Sequence, residues 1–439
     1  MAIGTNYTFK RGVRLPGHKE RTAGEAVRLI LPKPGQELIF PMRQHIGAAC
    51  VPVVEAGQKV LAGQKIGDSA DRVSVPVHSS VSGTVTAVGR ALAPDGMEYQ
   101  AVTVESGGAA AAGGNPGRAA YSGRIPEKDE LLRVIREAGI AGMGGAGFPA
   151  HVKLDPPPGL AIDTVVVNGA ECEPYLAADH RALLERANEL AEGLGIILSL
   201  FPGARGLIAA ETDKPGVIAA LMAAAADKPR IGVRGLPPKY PQGSEKQLIF
   251  ACAGREVPSG GLPRDVGCLA HNAGTVIAIY EAVVLGRPLT RRIVTVAGGA
   301  VKNPGNYEVC IGTKFSDLME DIGGFSREPY RLVCGGPMMG APLYTLDVPV
   351  TKTASALLCL TEEEAPDARE RNCIRCGRCV EYCPMGLAPV ELNKAAIGGE
   401  KAVFEKKHGR DCIECGSCSY VCPAKRHLAQ SIKEMKRGK

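Results

Sequence analysis

The chain has 439 residues, room for about three domains of ordinary size, with 45% hydrophobic residues, 4% aromatics and no tryptophan. Glycine (55) and proline (32) are abundant, which argues against long bundled helices and for many turns and close backbone approaches. A net charge of +6 is too slight to argue for nucleic acid, no run reaches the roughly 18 apolar residues of a membrane span, and the opening MAIGTNYTFKRGVRL has no apolar export segment, so a soluble, cytoplasmic chain is expected.

Residues 26–105 are predicted to be strands, short β-branched runs broken by Gly and Pro. Within them an apolar and glycine ladder (Gly57, Gly63, Gly67) precedes a hairpin near Ser69 to Arg72, and the whole resembles the barrel-sandwich of biotinyl and lipoyl domains. Those domains offer a lysine at the hairpin tip. Here the tip reads SADRV, so a structural, unmodified module is expected. Residues 106–124 are small and poor in core formers, as in a linker. PEKDELLRVIREAGI then has helical periodicity, and strand candidates alternate with helix candidates: DTVVVNG, ADHRALLERANELAEGLGIILSL, RGLIAAE and KPGVIAALMAAAAD. That alternation implies a largely parallel sheet with covering helices. From Arg291 two short strands and a helix suggest a small mixed domain, and the cysteine region follows from about Pro366.

Fifteen cysteines in a chain without a leader read as metal ligands where they cluster. Cys373, Cys376, Cys379 and Cys383 follow C-x2-C-x2-C-x3-C with Pro384 next, and Cys412, Cys415, Cys418 and Cys422 repeat the pattern with Pro423 next. Three cysteines two residues apart wrap one face of a cubane, and the fourth reaches the neighbouring one. Cys373, Cys376, Cys379 and Cys422 are therefore expected to hold one [4Fe–4S] cluster, and Cys412, Cys415, Cys418 and Cys383 the other. Structural zinc favours separated CxxC pairs instead. The spacer between the motifs should form two short helices. Cys50, Cys252, Cys268, Cys310, Cys334 and Cys359 read as small core residues, whereas Cys172 lies inside a candidate site.

Gly142-Met-Gly144-Gly145-Ala-Gly147 satisfies G-x-G-x-x-G, but it follows a helix and leads into Phe148-Pro149, which is the wrong context for a Rossmann turn. About 20 residues on, the strand DTVVVNG runs into a polar cluster of Asn168, Glu171, Glu173, Asp179, His180 and Arg181, the place where α/β sheets bind ligands. Gln242-Gly243-Ser244-Glu245-Lys246 and His271-Asn272-Ala273-Gly274-Thr275 each open an apolar helical stretch, and helix N-termini suit phosphate. His78 and His271 read as polar loop residues.

GMGGAGFPAHVKL, VVNGAECEP, GSEKQLI and HNAGTVIAI resemble, in order, the flavin- and NADH-binding segments of the NADH-oxidising flavoprotein subunit of respiratory complex I. RIVTVAGGAVKNPGNYEVCIGTKFSDLM looks like its following soluble-ligand-binding β-grasp domain. The resemblance implies FMN contacts from Gly142, Gly144, Gly145, Gly147, Lys153, Asn168, Glu171, Asn272 and Thr275. It implies nicotinamide contacts near Phe148, Glu173 and Glu245, with Gly243 and Lys246 in the same cofactor-binding set. Ala170 stands where the complex I subunit has an aspartate, and Ser244 where it has a glutamate.

The order of all these segments, beginning with FKRGVRLPGHK, is similar to the RnfC family of Rnf-complex subunits over nearly the whole chain. That family implies an α/β multidomain protein. Its expected parts are a barrel-sandwich domain (1–105), a linker (106–124), an FMN/NADH-binding domain (125–290), a β-grasp domain (291–365) and a small helical two-cluster domain (366–439). The implied function is a ferredoxin:NAD+ oxidoreductase subunit of an ion-translocating complex. It would carry FMN, two [4Fe–4S] clusters and NAD(H), lie peripherally on the cytoplasmic face of the membrane, and be held there by membrane and ferredoxin-like partner subunits. FMN can exchange electrons in pairs or singly, so it must stand between nicotinamide and clusters. The basic tail (Lys425, Arg426, Lys433, Lys436, Arg437, Lys439) could reach anionic lipid or end a solvated helix. Two other readings remain: a cobalamin-reductase flavoprotein of propanediol metabolism, disfavoured by the barrel-sandwich standing first, and a non-catalytic electron relay.

Overall fold

The computed structural model describes residues 8–110, 125–366 and 369–438. Most of the expected linker and Lys439 of the basic tail lie outside them. The N-terminal module is two small antiparallel sheets facing each other. One has the order Glu37–Pro41, Glu98–Ala110, Val81–Leu92, Lys59–Val60; the other has the order Val51–Pro52, Lys65–Asp68, Val77–His78. Alternation along the strands buries Leu38, Phe40, Val81, Val85, Val102 and Val104 between them. The hairpin tip that carries lysine in biotinyl domains is docked on the next module. Arg136 donates to the Ser69 carbonyl at 2.6 Å, and Arg72 pairs with Asp155 at 3.1 Å.

The central module is a four-stranded, all-parallel sheet in the order Ile231–Leu236, Arg205–Glu211, Thr164–Gly169, Cys268–Asn272. The chain moves outward from Thr164–Gly169 through two strands and then returns to its other side. The switch point therefore falls between Thr164–Gly169 and Cys268–Asn272, where such sheets open a crevice beyond the strand ends. The helical run after Thr164–Gly169 is two helices, Ala178–Glu185 and Ala187–Ser199. Arg186 between them leaves helical geometry (φ −126°) while its guanidinium reaches Glu189 and, at 2.7 Å, Glu281. The second helix buries Leu190, Leu194 and Leu198, each worth roughly 1.5–3 kcal/mol; Leu194 and Leu198 pack over Gly206 of the sheet, and Gly193 lets the helix approach Val276 of Ala273–Val284 closely.

The third sheet has six strands rather than the two read from sequence: Arg28–Ile30, Gly305–Cys310, Arg291–Ala297, Ala356–Leu360, Arg331–Cys334 and Ala341–Leu343. Arg28–Ile30, early in the chain, pairs in parallel with Gly305–Cys310 and so belongs to this sheet, not to the barrel-sandwich. His78 and His271 are buried strand residues rather than loop residues, because both lie on strands whose faces are covered by neighbouring modules. Buried Lys352 ties three modules together. Its ammonium donates to the carbonyls of Pro76 (2.5 Å) and Gly139 (2.7 Å), and burial pulls its pKa down to about 8. In the C-terminal module the spacer forms the helices Pro389–Ile397 and Lys401–Lys406, which pack with Leu428–Arg437 around Leu392, Phe404 and Ile432. Among the described residues no helix is long and apolar enough to cross a membrane.

Candidate flavin site and cluster sites

The glycine-rich loop joins the helix Lys128–Glu137 to the short helix Ala150–Lys153, and a bridge from Ala141 to Pro149 closes it. It is buttressed from three sides. The Met143 amide donates to Thr275 Oγ1 at 2.9 Å, the Ile46 amide of the barrel-sandwich donates to the Gly147 carbonyl at 3.1 Å, and buried Arg292 of the β-grasp sheet donates to the Met143 carbonyl at 3.3 Å. Gly145 (φ +100°) has open space where a Cβ would stand, and Gly144 is exposed with only the Asn272 Cβ nearby, at 3.4 Å. This is a backbone surface that a flat ring could approach closely.

The strand ends supply the polar wall. Asn168 donates to the Gly243 carbonyl at 2.8 Å, so the strand Thr164–Gly169 and the loop before the helix Glu245–Ala253 meet at the crevice. Lys153 and Glu245 form an ion pair across it. Asn272 caps its helix by accepting from the Gly274 amide (2.9 Å) and donates to Asp179 at 2.6 Å. Burial, with Glu171 beside it, holds the Asp179 carboxyl above the usual carboxylate range. Glu171 (φ +46°) has its carboxylate engaged by the amides of Asp179 and His180, at 2.7 and 3.0 Å, so it caps the helix Ala178–Glu185. Among the described residues, buried side-chain atoms of Gln242 and the Nε2 of His271 have no hydrogen-bond partner, a donor and acceptor set that suits a polar ligand. The loop, the ion pair and these groups fit a flavin nucleotide.

Glu173 faces the other way. Its carboxylate accepts from the Met338 amide at 3.0 Å and lies 3.4 Å from the Tyr240 hydroxyl, and burial raises its pKa to about 7. The Tyr240 hydroxyl donates to the Cys415 carbonyl at 2.7 Å. Cys172 accepts from the Gly243 amide at 3.3 Å, and burial pushes its thiol up to about 12, which disfavours the thiolate. Tyr240 and Ile46 were not singled out from sequence, and Gln242 and Arg292, although inside QGSEK and RIVTVAGG, gave no sign that they would face this site.

The two cysteine motifs fold alike. Arg375 and Glu414 have φ +55° and +58°, Gly377 and Gly416 +78° and +76°, and the amides of Arg375 and Glu414 each donate to the preceding cysteine sulfur, Cys373 and Cys412, at 3.4 Å. Such amides point inward, as a cubane's sulfurs require. Cys383 sits close enough to Cys412, Cys415 and Cys418 to raise their thiols further, after burial as the main cause. Cys422 and Cys373 act in the same way on Cys379. A pocket lies among Cys383, Cys412, Cys415 and Cys418, with Glu414 and apolar groups such as Met385, Leu392, Ile413 and Ile432 around it. Four thiols converging on one mostly apolar pocket are a donor set that suits an iron–sulfur cluster. Cys373 and Cys376 are exposed, whereas Cys383, Cys415 and Cys418 are buried.

Comparison with known proteins accords with this layout. The chain matches an RnfC barrel sandwich hybrid domain at residues 7–109, a Nuo51 FMN-binding domain at 135–281, an SLBB domain at 293–342 and a 4Fe-4S dicluster domain at 372–426. It is 44% identical to the C subunit of the Na(+)-translocating ferredoxin:NAD(+) oxidoreductase complex of Acetobacterium woodii, covering 98% of this chain and 96% of that one. It is also 44% identical to the proton-translocating counterpart of Clostridium ljungdahlii, covering 91% and 86%. The C subunit of the ion-translocating oxidoreductase complex of Pseudomonas aeruginosa is 42% identical, covering 90% of this chain and 51% of that longer one. The chain belongs to the RnfC family, the C subunits of the ion-translocating ferredoxin:NAD(+) oxidoreductase complexes.

Proposed function

We propose that the chain is the NAD-side subunit of such a complex, passing electrons between NAD(H), FMN and two [4Fe–4S] clusters so that ferredoxin:NAD+ oxidoreduction can drive ion translocation. The observation that carries this reading is the segment Tyr240–Glu245. At one end Tyr240 holds the Cys415 carbonyl, and at the other Gly243 and Glu245 meet Asn168 and Lys153 at the glycine-rich loop.

When bound, FMN exchanges electron pairs with nicotinamide and single electrons with iron–sulfur clusters. The residues proposed to hold it are Gly142, Gly144, Gly145 and Gly147 by backbone approach, Lys153 by charge toward its anionic groups, and Asn168, Asn272 and Thr275 by shaping the crevice. Glu171 would act by fixing the helix whose Asp179 holds Asn272. Phe148, Glu245 and Lys246 line the nucleotide side of this reading, with Gly243 at the turn, and Glu173 sits between that side and the cysteines. Cys383, Cys412, Cys415 and Cys418 would hold the inner cluster, and Cys373, Cys376, Cys379 and Cys422 the outer one. The domain limits of this reading are 1–105, 125–290, 291–365 and 366–439, with two corrections: the strand Glu98–Ala110 carries the first module into the expected linker 106–124, and Arg28–Ile30 joins the third sheet. Membrane and ferredoxin-like partner subunits would keep the chain on the cytoplasmic face.

Anaerobically purified protein should contain FMN and about eight iron atoms per chain, as two [4Fe–4S] clusters require. NADH should bleach its flavin absorbance. Protein reconstituted with FMN that retains none, and whose absorbance NADH leaves unchanged, would refute the catalytic reading.

A further inference from the structure

The segment FKRGVRLPGHK, Phe9 to Lys19, takes no part in the flavin or cluster sites as drawn so far. Residues 8–27, ahead of the strand Arg28–Ile30, form neither helix nor strand. Their backbone groups must find partners elsewhere, and they find them on three other modules. The Gly12 amide donates to the Tyr382 carbonyl at 3.1 Å, and Val13 exchanges two hydrogen bonds with Tyr240, at 2.9 and 2.8 Å. The Tyr175 amide donates to the Gly17 carbonyl at 2.8 Å, and Asn306 of the third sheet donates to the Thr22 carbonyl at 2.9 Å.

Side chains repeat the pattern. Arg11 donates to the Val380 carbonyl at 3.4 Å, and Lys19 donates to the Glu171 carbonyl at 2.5 Å. Lys239 donates to the Phe9 carbonyl at 2.8 Å and lies 4.4 Å from the centre of the Phe9 ring. Val13 packs with Tyr240 and Cys415. The segment therefore runs from Tyr382, next to Cys383, across Tyr240 to the loop of Glu171 and Tyr175 at the crevice.

The backbone at the crossing is tightly specified. Arg11 and Gly12 are both left-handed, at φ +66° and +78°. A Cβ on Gly12 would meet the Tyr240 carbonyl oxygen at 2.6 Å and the Phe9 ring at 2.8 Å, so any side chain there must lift the segment off Tyr240. A left-handed arginine persists only where its surroundings hold it, and here the cluster module does so.

We propose that Phe9–Lys19 is a strap that fixes the separation between the flavin crevice and the inner cluster, with Arg11 and Gly12 as its positioning residues. The proposal rests on the functional reading above, that a flavin and clusters occupy these sites. Electron transfer between them makes and breaks no bonds, so separation and driving force set its rate. A strap anchored on Tyr382 at one end and on Glu171 and Tyr175 at the other acts on the separation.

The test compares wild-type holoprotein, carrying FMN and both clusters, with Gly12→Ala and with the double variant R11G/K239M. The double variant removes side-chain ties of the strap without adding bulk. Each protein is mixed anaerobically with NADH, and flavin bleaching and cluster reduction are followed separately. FMN content, iron content and bleaching rate should match wild type in both variants. Cluster reduction should slow by on the order of 10-fold or more in Gly12→Ala and by less in the double variant, whose cluster midpoint potentials should not move. Cluster reduction at the wild-type rate in the double variant, or in Gly12→Ala if it folds, overturns the proposal. So does bleaching that slows in step with cluster reduction, because the segment would then only hold the fold together. Midpoint shifts in the double variant large enough to account for its slower rate overturn it as well, since driving force and not separation would have changed. A wild-type protein whose flavin NADH cannot bleach contradicts the functional reading instead, and the strap proposal falls with it.

Discussion

Tyr240 and Glu173 show how much can turn on two side chains. One hydroxyl lies between two acceptors, the Cys415 carbonyl and the Glu173 carboxylate, and can donate to only one. Tyr240→Phe keeps the buried ring and removes the hydroxyl, so its stability cost should be about 1 kcal/mol. In a redox titration followed by electron paramagnetic resonance, one cluster's midpoint should move to lower potential as the donor dipole is lost, while the other stays. Equal shifts in both clusters would contradict a local contact. Glu173 has a pKa raised from 4.5 to about 7 by burial. The folded protein therefore binds a proton that the unfolded chain has released, and this contribution falls as pH rises from 4.5 through 7. Glu173→Gln should be increasingly stabilised relative to wild type over that window, by up to ~3 kcal/mol at the alkaline end. Thermal midpoints of the two proteins from about pH 5 to 8 would show it, and a constant gap would count against it. Neither residue was legible as a cluster neighbour. Glu173 was singled out from its motif but on the nicotinamide side, and Tyr240's partner is 175 residues away.

At the scale of elements, the glycine-rich loop separates folding from binding. Gly147 (φ +67°) is wedged against Thr353 and His45, where a Cβ would meet atoms at 3.0 and 3.2 Å, so Gly147→Ala should disturb the fold. Gly144 needs no left-handed backbone and has only Asn272 within reach, at 3.4 Å. Gly144→Ala should therefore leave thermal stability within about 0.5 kcal/mol. Under the proposed seating its FMN content should fall at least several-fold, because the added methyl would stand on the surface proposed to meet the flavin. Full FMN occupancy in G144A would remove the loop from the site. The loop and helix openings at Glu245 and Ala273 were legible because their signals are local: glycines, a cap and an apolar run. The four extra strands of the third sheet were not. Arg28–Ile30 pairs with a strand more than 250 residues on, and three-residue runs carry too little alternation to announce a partner. The break at Arg186 was hidden by an unbroken helical pattern, and it is set by acids on two different helices.

For the whole molecule, the proposed crossed ligation would make the clusters one unit, and it predicts asymmetric damage. Under it Cys383→Ala would take a ligand from the inner cluster although it lies in the first motif, and Cys422→Ala would take one from the outer cluster although it lies in the second. The inner cluster is the one beside Tyr240, so C383A should isolate the flavin from the outer cluster, whereas C422A should leave the flavin and inner cluster exchanging electrons. Both variants should keep FMN, and each should lose about half of the iron. Uncrossed behaviour in the two variants would invert that result. The crossed pairing is the expectation that the two variants test, whereas the two-cluster character of the segment could be read from the spacing of its eight cysteines. Which cluster is buried could not, because that depends on Ile413 rather than Ile374 meeting the flavin-side modules.

At every scale the proposed function has electrons pass between the clusters and NAD(H) through a flavin seated on the glycine-rich loop. Holoprotein with photoreduced clusters, mixed anaerobically with NAD+, should form NADH as its cluster signals disappear, while FMN-depleted G144A protein should keep its cluster signals and form none. NADH formation by G144A at the wild-type rate, or reduced wild-type clusters that persist in the presence of NAD+, would contradict it.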